Sequence, residues 1–166
     1  QAQEWGLVET PILLTNSPSV GVCVDACTQF LLKKYPKIGL SQDVVLPLVG
    51  ECDDSWLNDI RACAVKPIHV FEALEKATSG PVAQGCIGAG TGMTSFDLKS
   101  GIGSSSRLLS IHNHTFTLGA LVLNNFGNGD LQNLTIAGVP IGKLFKEAPP
   151  PIHNDGSIIV ILATDA

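Results

Sequence analysis

The sequence predicts an α/β layered sandwich, and three observations lead there. Apolar, strand-like runs alternate with two segments of helical periodicity, the order that builds sheets covered by helices. The chain is 45% hydrophobic and only 15% charged, with 17 glycines, which suits extended internal sheet or surfaces that another chain covers. Its longest apolar runs, such as "IIVILA", are strand-sized and fall far below the roughly 20 residues that span a bilayer.

Taken in order, "TPILLTN" (10–16) reads as a short buried strand. "SPSVGVCVDACTQFLLKKYP" follows as a helix, with Ser17 as N-cap and Pro18 in the first turn. Val20, Cys23, Val24, Cys27, Phe30 and Leu31 recur at helical spacing, and Pro36 stops the run. "DVVLPLVGE" (43–51) reads as a strand with an edge or bulge at Pro47. "KPIHVFEALEKATSG" (66–80) is a second amphipathic helix, opened by Pro67 and closed by Gly80. The glycine-rich stretch 80–107 has almost no period. "TFTLGALVLNN" and "LQNLTIAGVPIG" read as two strands joined through "FGNGD", which has hairpin-turn chemistry. "LFKEAPPPIHNDG" is an exposed linker, and "SIIVILATD" is a last buried strand.

Composition excludes some function classes. A net charge of −5 with no run of Lys or Arg offers nothing to a nucleic acid. The polar opening "QAQEWGLVET" is not a signal peptide, and the missing methionine points to a processed product or a fragment. The five cysteines are scattered without a CxxC pair, so zinc and thioredoxin chemistry lack support. Cys23 and Cys27 share one helix face and suit core packing. Such cysteines fit a reducing compartment, whereas the sequons at Asn113 and Asn133 would matter only in a secreted protein.

Four motifs carry possible chemistry. In "GCIGAGTGM" the glycines are spaced GxGxG and no GK[ST] follows, so it reads as a tight loop where backbone passes close to backbone. His112 and His114 of "HNH" fall on one face of an extended segment, but no third metal ligand is suggested nearby. "GECDDSWLND" gathers Glu51, Asp53, Asp54 and Asp59, suited either to a cation or ammonium group or to a solvated helix start. In "DGSIIV" a Gly–Ser bond joins a loop to an apolar strand, as an autoproteolysis site would. A hydroxyl at Ser157 that attacked the preceding carbonyl would give an ester, and water would release a new amino terminus. The freed α-amine, with an ordinary pKa of about 7.7–8.0, could then serve as base for its own hydroxyl.

Seven stretches, "GLVETPILLTNSPSVG", "GECDDSWLNDI", "GPVAQGCIGAGTGM", "KSGIGSSSR", "LGALVLNNFG", "AGVPIG" and "DGSIIVILATDA", together resemble the self-cleaving aminopeptidases of the L-aminopeptidase/D-esterase type, which include the β-peptidyl aminopeptidases. They stand in family order and cover nearly the whole chain. The resemblance implies a four-layer αββα sandwich like that of N-terminal-nucleophile hydrolases, present here as a partial domain. It implies residues 1–156 as the α-chain region and 157–166 as the first strand of a β chain whose remainder is absent. It also implies a usual homo-oligomer, substrates that are peptides, amides or esters with a free amino terminus, and no metal or organic cofactor.

By the same resemblance Ser157 is the nucleophile and Gly156–Ser157 the self-cleavage bond. Asn125 of "NNFG" is the oxyanion donor, and Glu51 binds the substrate ammonium. Two residues after that glutamate the family usually carries a tyrosine that assists at the oxyanion, where this chain has Asp53. An ionised aspartate gives no such hydrogen bond, and its charge opposes an oxyanion. Two alternatives therefore stand beside the aminopeptidase: a catalytically silent relative with a binding or structural role, and a self-cleaving acetyltransferase-like relative, whose nucleophile is a threonine.

Overall fold

The computed structural model describes residues 2–127, 131–145 and 156–166, which fall into two units. The first comprises Gln1–Glu51 and Asp59–Pro81, the second Cys52–Asn58 and Val82–Ala166.

In the first unit a short helix α1 (Ala2–Trp5) precedes β1 (Ile12–Asn16), which pairs with β2 (Leu48–Cys52) in a two-stranded sheet. Helix α2 (Val20–Lys34) lies between them in sequence, and α3 (Pro67–Glu75) follows. The helical periodicity read from the sequence buries Cys23, Ala26, Cys27 and Leu31 against Val70 of α3. The Phe30 and Phe71 rings stack across the two helices at 6.5 Å. Lys33 and Lys34 end α2 where cations complement the helix dipole, and the Tyr35 N–H closes it on the Leu31 carbonyl.

Three boundaries differ from expectation here. Ser17 does not cap α2. The chain enters through a 3-10 turn at Ser17–Ser19, and the Ser17 hydroxyl donates instead to the Glu51 carboxylate. A charge-assisted bond outcompetes a cap to a neutral N–H. The strand expected over 43–51 begins only at Leu48, because the buried Pro47 has no N–H for a ladder. Helix α3 ends at Glu75 rather than near Gly80, its Lys76 N–H bonded to the Glu72 carbonyl. The Thr78 and Ser79 that follow are poor helix formers.

The second unit is built on a three-stranded antiparallel sheet of order β5 (Ile102–Ile111), β6 (His114–Asn125), β7 (Ser157–Thr164). Ahead of it stand a 3-10 turn at Gly88–Gly90 and the small hairpin β3 (Thr94–Ser95) and β4 (Leu98–Lys99). Met93, Leu123 and Leu131 are the large side chains fully buried here. The close backbone passage expected of the glycine-rich loop is present. Gly85 and Ile102 exchange two backbone hydrogen bonds, and a Cβ on Gly101 would fall 2.1 Å from the Gly85 carbonyl oxygen.

Corrections follow here too. The glycine-rich stretch hides the start of β5, whose "GSSSR" lacks apolar alternation and is held extended by its ladder with β6. His112 and His114 do not share a face of an extended segment. His112 and Asn113, at φ 47° and 66°, form the two-residue turn of the β5–β6 hairpin, and His114 starts β6. The strand expected in "LQNLTIAGVPIG" is absent. Two 3-10 turns, Leu131–Asn133 and Ile141–Leu144, flank an Ile136–Val139 bridge that a left-handed Ala137–Gly138 turn closes. Nor is β7 wholly buried. Ile158, Val160 and Leu162 are 53%, 52% and 67% exposed on one face, while Ile159 and Ile161 are half-buried on the other. The "FGNGD" joint and the linker before Ser157 fall mainly on 128–130 and 146–155, outside the described residues. Among the described residues no helix is long and apolar enough to cross a membrane.

Candidate active site

Strand β6 ends and β7 begins at the same rung. Asn125 and Ser157 are direct partners in the antiparallel ladder, so their side chains project from one face of the sheet as cross-strand neighbours. Past that rung the chain is tied elsewhere: the Phe126 carbonyl accepts from the Phe96 N–H at 3.0 Å, and the two rings meet edge to face at 5.4 Å. Gly156, just before β7, is required for steric reasons. A Cβ there would lie 2.7 Å from the Phe126 Cα and 3.0 Å from the Asn125 carbonyl oxygen. Its backbone is not in the left-handed region, so crowding rather than unusual φ explains the glycine.

The Asn125 amide is fixed at both ends. Its Oδ1 accepts from the Thr94 N–H at 3.1 Å, and its Nδ2 donates to the Asp53 carbonyl at 2.7 Å. The Asp53 carboxylate turns back on its own chain, accepting from the Ser55 N–H at 2.8 Å. Next to it Asp54 is buried and accepts from Asn58 Nδ2 at 2.6 Å. The acidic cluster does not open an α-helix. Asp53 and Asp54 shape a turn, and Asp59 accepts from the Arg61 N–H to begin a 3-10 turn at Ile60–Ala62.

Behind Thr94 lies a cationic anchor. The left-handed pair Phe96–Asp97 turns the β3–β4 hairpin and sets Lys99 directly opposite Thr94. Lys99 Nζ donates to the Gly90 and Met93 carbonyls, each at 3.0 Å, and to that of Ser100. The Ser100 hydroxyl in turn donates to the Asn124 carbonyl at 2.7 Å.

The second unit thus brings together Asn125, Gly156, Ser157 and the backbone of Asp53. Glu51 belongs to the first unit, exposed on β2 with the Ser17 hydroxyl on its carboxylate. Sequence reasoning missed Thr94 and Lys99. Only the hairpin register brings them to Asn125, and no spacing in "GMTSFDLKS" announces it. Among the described residues no group of three or more His, Cys, Asp or Glu is placed to hold a metal ion.

Comparison with known proteins places this geometry in a family context. The profile of Peptidase family S58 matches residues 1–166. The chain is 37% identical over 180 residues to the beta-peptidyl aminopeptidase BapA of Sphingosinicella microcystinivorans, a match covering 99% of this chain and 44% of that protein. It therefore spans less than half the length of that relative. The crystal structure of the PH0078 protein from Pyrococcus horikoshii superposes with a TM-score of 0.89 at 48% identity, covering 100% of this chain and 45% of the other. The L-aminopeptidase D-Ala-esterase/amidase of Ochrobactrum anthropi, described as a new variant among the ntn hydrolase fold, gives a TM-score of 0.82 at 38% identity, covering 92% and 41%. The α/β fold class expected from the sequence is the one these likenesses show, and the chain corresponds to part of that fold.

Proposed function

Because the chain belongs to peptidase family S58, we propose that the whole protein is an aminopeptidase that also cleaves amides and esters, with Ser157 as its nucleophile after self-cleavage at Gly156–Ser157. The single observation that carries this reading is the Asn125–Ser157 rung. A hydroxyl and a fixed amide donor on adjacent strands of one face are what acyl transfer needs. The hydroxyl forms the bond, and the amide meets the charge that develops on the attacked carbonyl.

In self-cleavage the Ser157 oxygen adds to the Gly156 carbonyl carbon. The Gly156–Ser157 amide bond breaks, an ester replaces it, and the Ser157 nitrogen leaves as an amine. Water then hydrolyses the ester, giving a carboxylate on residue 156 and a free Ser157 amino terminus. In turnover that amine takes the hydroxyl proton as Ser157 attacks the substrate carbonyl and returns a proton to the departing amine or alcohol. The acyl group passes to water in a second, equivalent addition. An amide nitrogen carries two hydrogens. The bond from Asn125 Nδ2 to the Asp53 carbonyl uses one, and the mechanism assigns the other to the oxyanion. Glu51 receives the substrate ammonium, which restricts the enzyme to free amino termini. Its carboxylate already accepts from Ser17.

In this reading 1–156 form the α chain and 157–166 begin the β chain, which stays bound. The exposed apolar side chains of β7 support further protein against that face, from the remaining β chain and from sister copies in a homo-oligomer. Peptide substrates agree with the family, and likeness to the beta-peptidyl aminopeptidase of S. microcystinivorans extends the expected substrates to peptides with β-amino acids.

The test is the intact mass and N-terminal sequence of the full-length gene product. A fragment beginning Ser-Ile-Ile-Val-Ile-Leu is expected, and it should vanish in Ser157→Ala together with hydrolysis of amino-acid p-nitroanilides. A single uncleaved wild-type chain without aminopeptidase activity would overturn the proposal.

A further inference from the structure

We infer that Lys99 is a positioning residue for Asn125 and acts on it through the Met93–Thr94 peptide group. The inference rests on the role proposed above for Asn125. Lys99 Nζ donates to the Met93 carbonyl at 3.0 Å, and the N–H of the same peptide unit, on Thr94, donates to Asn125 Oδ1 at 3.1 Å. A positive charge on the carbonyl end of a peptide draws electron density from its nitrogen and makes its N–H a stronger donor. The strengthened bond does the same to the side-chain amide it meets, so the Asn125 Nδ2 hydrogens become better donors. The Thr94 N–H also decides which way the amide faces. An N–H must meet an oxygen, so Oδ1 is held toward β3 and Nδ2 away from it.

Three features favour this reading over a plain structural lysine. The Met93 carbonyl also accepts from the Ser100 N–H at 3.0 Å, so its peptide plane is gripped from two sides. The Thr94–Lys99 rung of the β3–β4 hairpin pairs Lys99 with Thr94, whose N–H meets Asn125. Finally, an ammonium has three hydrogens, and the carbonyls of Gly90, Met93 and Ser100 account for all three. Lys99 is thereby committed to backbone and leaves the substrate to other groups.

The experiment uses the full-length protein with Lys99→Met, which keeps the reach of the side chain and removes its donors, and with Lys99→Arg, which keeps the charge. Lys99→Met should lower kcat about tenfold with KM changed less than about twofold, the pattern of an interaction realised in the transition state. Lys99→Arg should recover most of that loss. In an Asn125→Ala background, Lys99→Met should lower kcat less than about twofold further, because the residue it acts through is gone. In 15N-labelled protein the Asn125 side-chain amide proton resonance should move upfield in Lys99→Met. Should that variant fail to fold, the neutral Lys99→Gln carries the same comparisons. An undiminished kcat, a full additional loss in the Asn125→Ala background, or an unmoved Asn125 amide resonance overturns the inference. The resonance is read with or without turnover. A protein that never cleaves itself or its substrates thus sinks the proposed function, while an unmoved resonance sinks this inference alone.

Discussion

Asn125 shows how a side-chain amide acquires a fixed orientation from what holds it. Free in a loop, an asparagine amide rotates and presents oxygen or nitrogen indifferently. Here Thr94 takes the oxygen and the Asp53 carbonyl takes one nitrogen hydrogen, so under the proposed function the donor is oriented in advance. Asp53 contributes through its backbone, and its carboxylate is engaged with Ser55. The side chain at position 53 is thus separate from the Asn125 anchor, which uses only the Asp53 carbonyl. Glu51 carries the clearest residue-scale expectation of the proposed function. Glu51→Gln removes the charge from a charge-assisted hydrogen bond, which corresponds to a loss of about 1.5–3 kcal/mol. KM for free-amine substrates should rise on the order of ten- to a hundredfold in steady-state assays. An unchanged KM would remove Glu51 from ammonium binding. "GECDD" and "NNFG" were legible as motifs, but the partners that fix them lie 31 and 72 residues from Asn125 in sequence and leave no local trace.

At the scale of elements, the helices were the most legible part because their period follows from one buried stripe. Cys23, Cys27 and Leu31 proved buried as spaced. Their boundaries were less so, since Ser17 found a carboxylate across the unit instead of a cap. Strand β5 was invisible for a physical reason: it carries three consecutive serines, and only pairing with β6 keeps it extended. The converse error, a strand over 131–142, came from apolar residues that fall in short turns, Ile136 and Val139 among them exposed. The loop-to-sheet crossing at Gly101 gives the element-scale prediction. A methyl group there meets the Gly85 carbonyl oxygen at 2.1 Å and that residue's carbonyl carbon and Cα within 3.1 Å, with no flexible side chain to yield. Gly101→Ala should break the Gly85–Ile102 bridge and lower stability by roughly 1–3 kcal/mol, seen as a reduced thermal midpoint. An unchanged midpoint would mean that β5 can start without that bridge.

Across the whole molecule the five cysteines divide by environment. Cys23, Cys27 and Cys52 are buried, while Cys63 and Cys86 are exposed. Burial pushes the Cys23 thiol above its ordinary pKa, partly offset by its hydrogen bond with Thr15, and raises Cys27 as well, with Cys23 adding to the effect. A raised pKa keeps these thiols protonated and unreactive at neutral and mildly alkaline pH. Within residues 1–166, native protein at pH 8 should thus be alkylated by iodoacetamide at Cys63 and Cys86, and at Cys23, Cys27 and Cys52 only after denaturation, assigned by peptide mapping. Fast labelling of Cys23 or Cys27 would show that the α2–α3 core opens readily. The sequence by itself determined the alternation of strands and helices, the apolar stripe of α2, and the motif set that identifies the family, because each is written in neighbouring residues. The tertiary structure decided how those motifs are placed and held. It set Asn125 opposite Ser157, crowded Gly156 against Phe126, and brought Lys99 behind Thr94. Such pairings arise from strand register, and register is fixed by the ladder as a whole rather than by any stretch of chain within it.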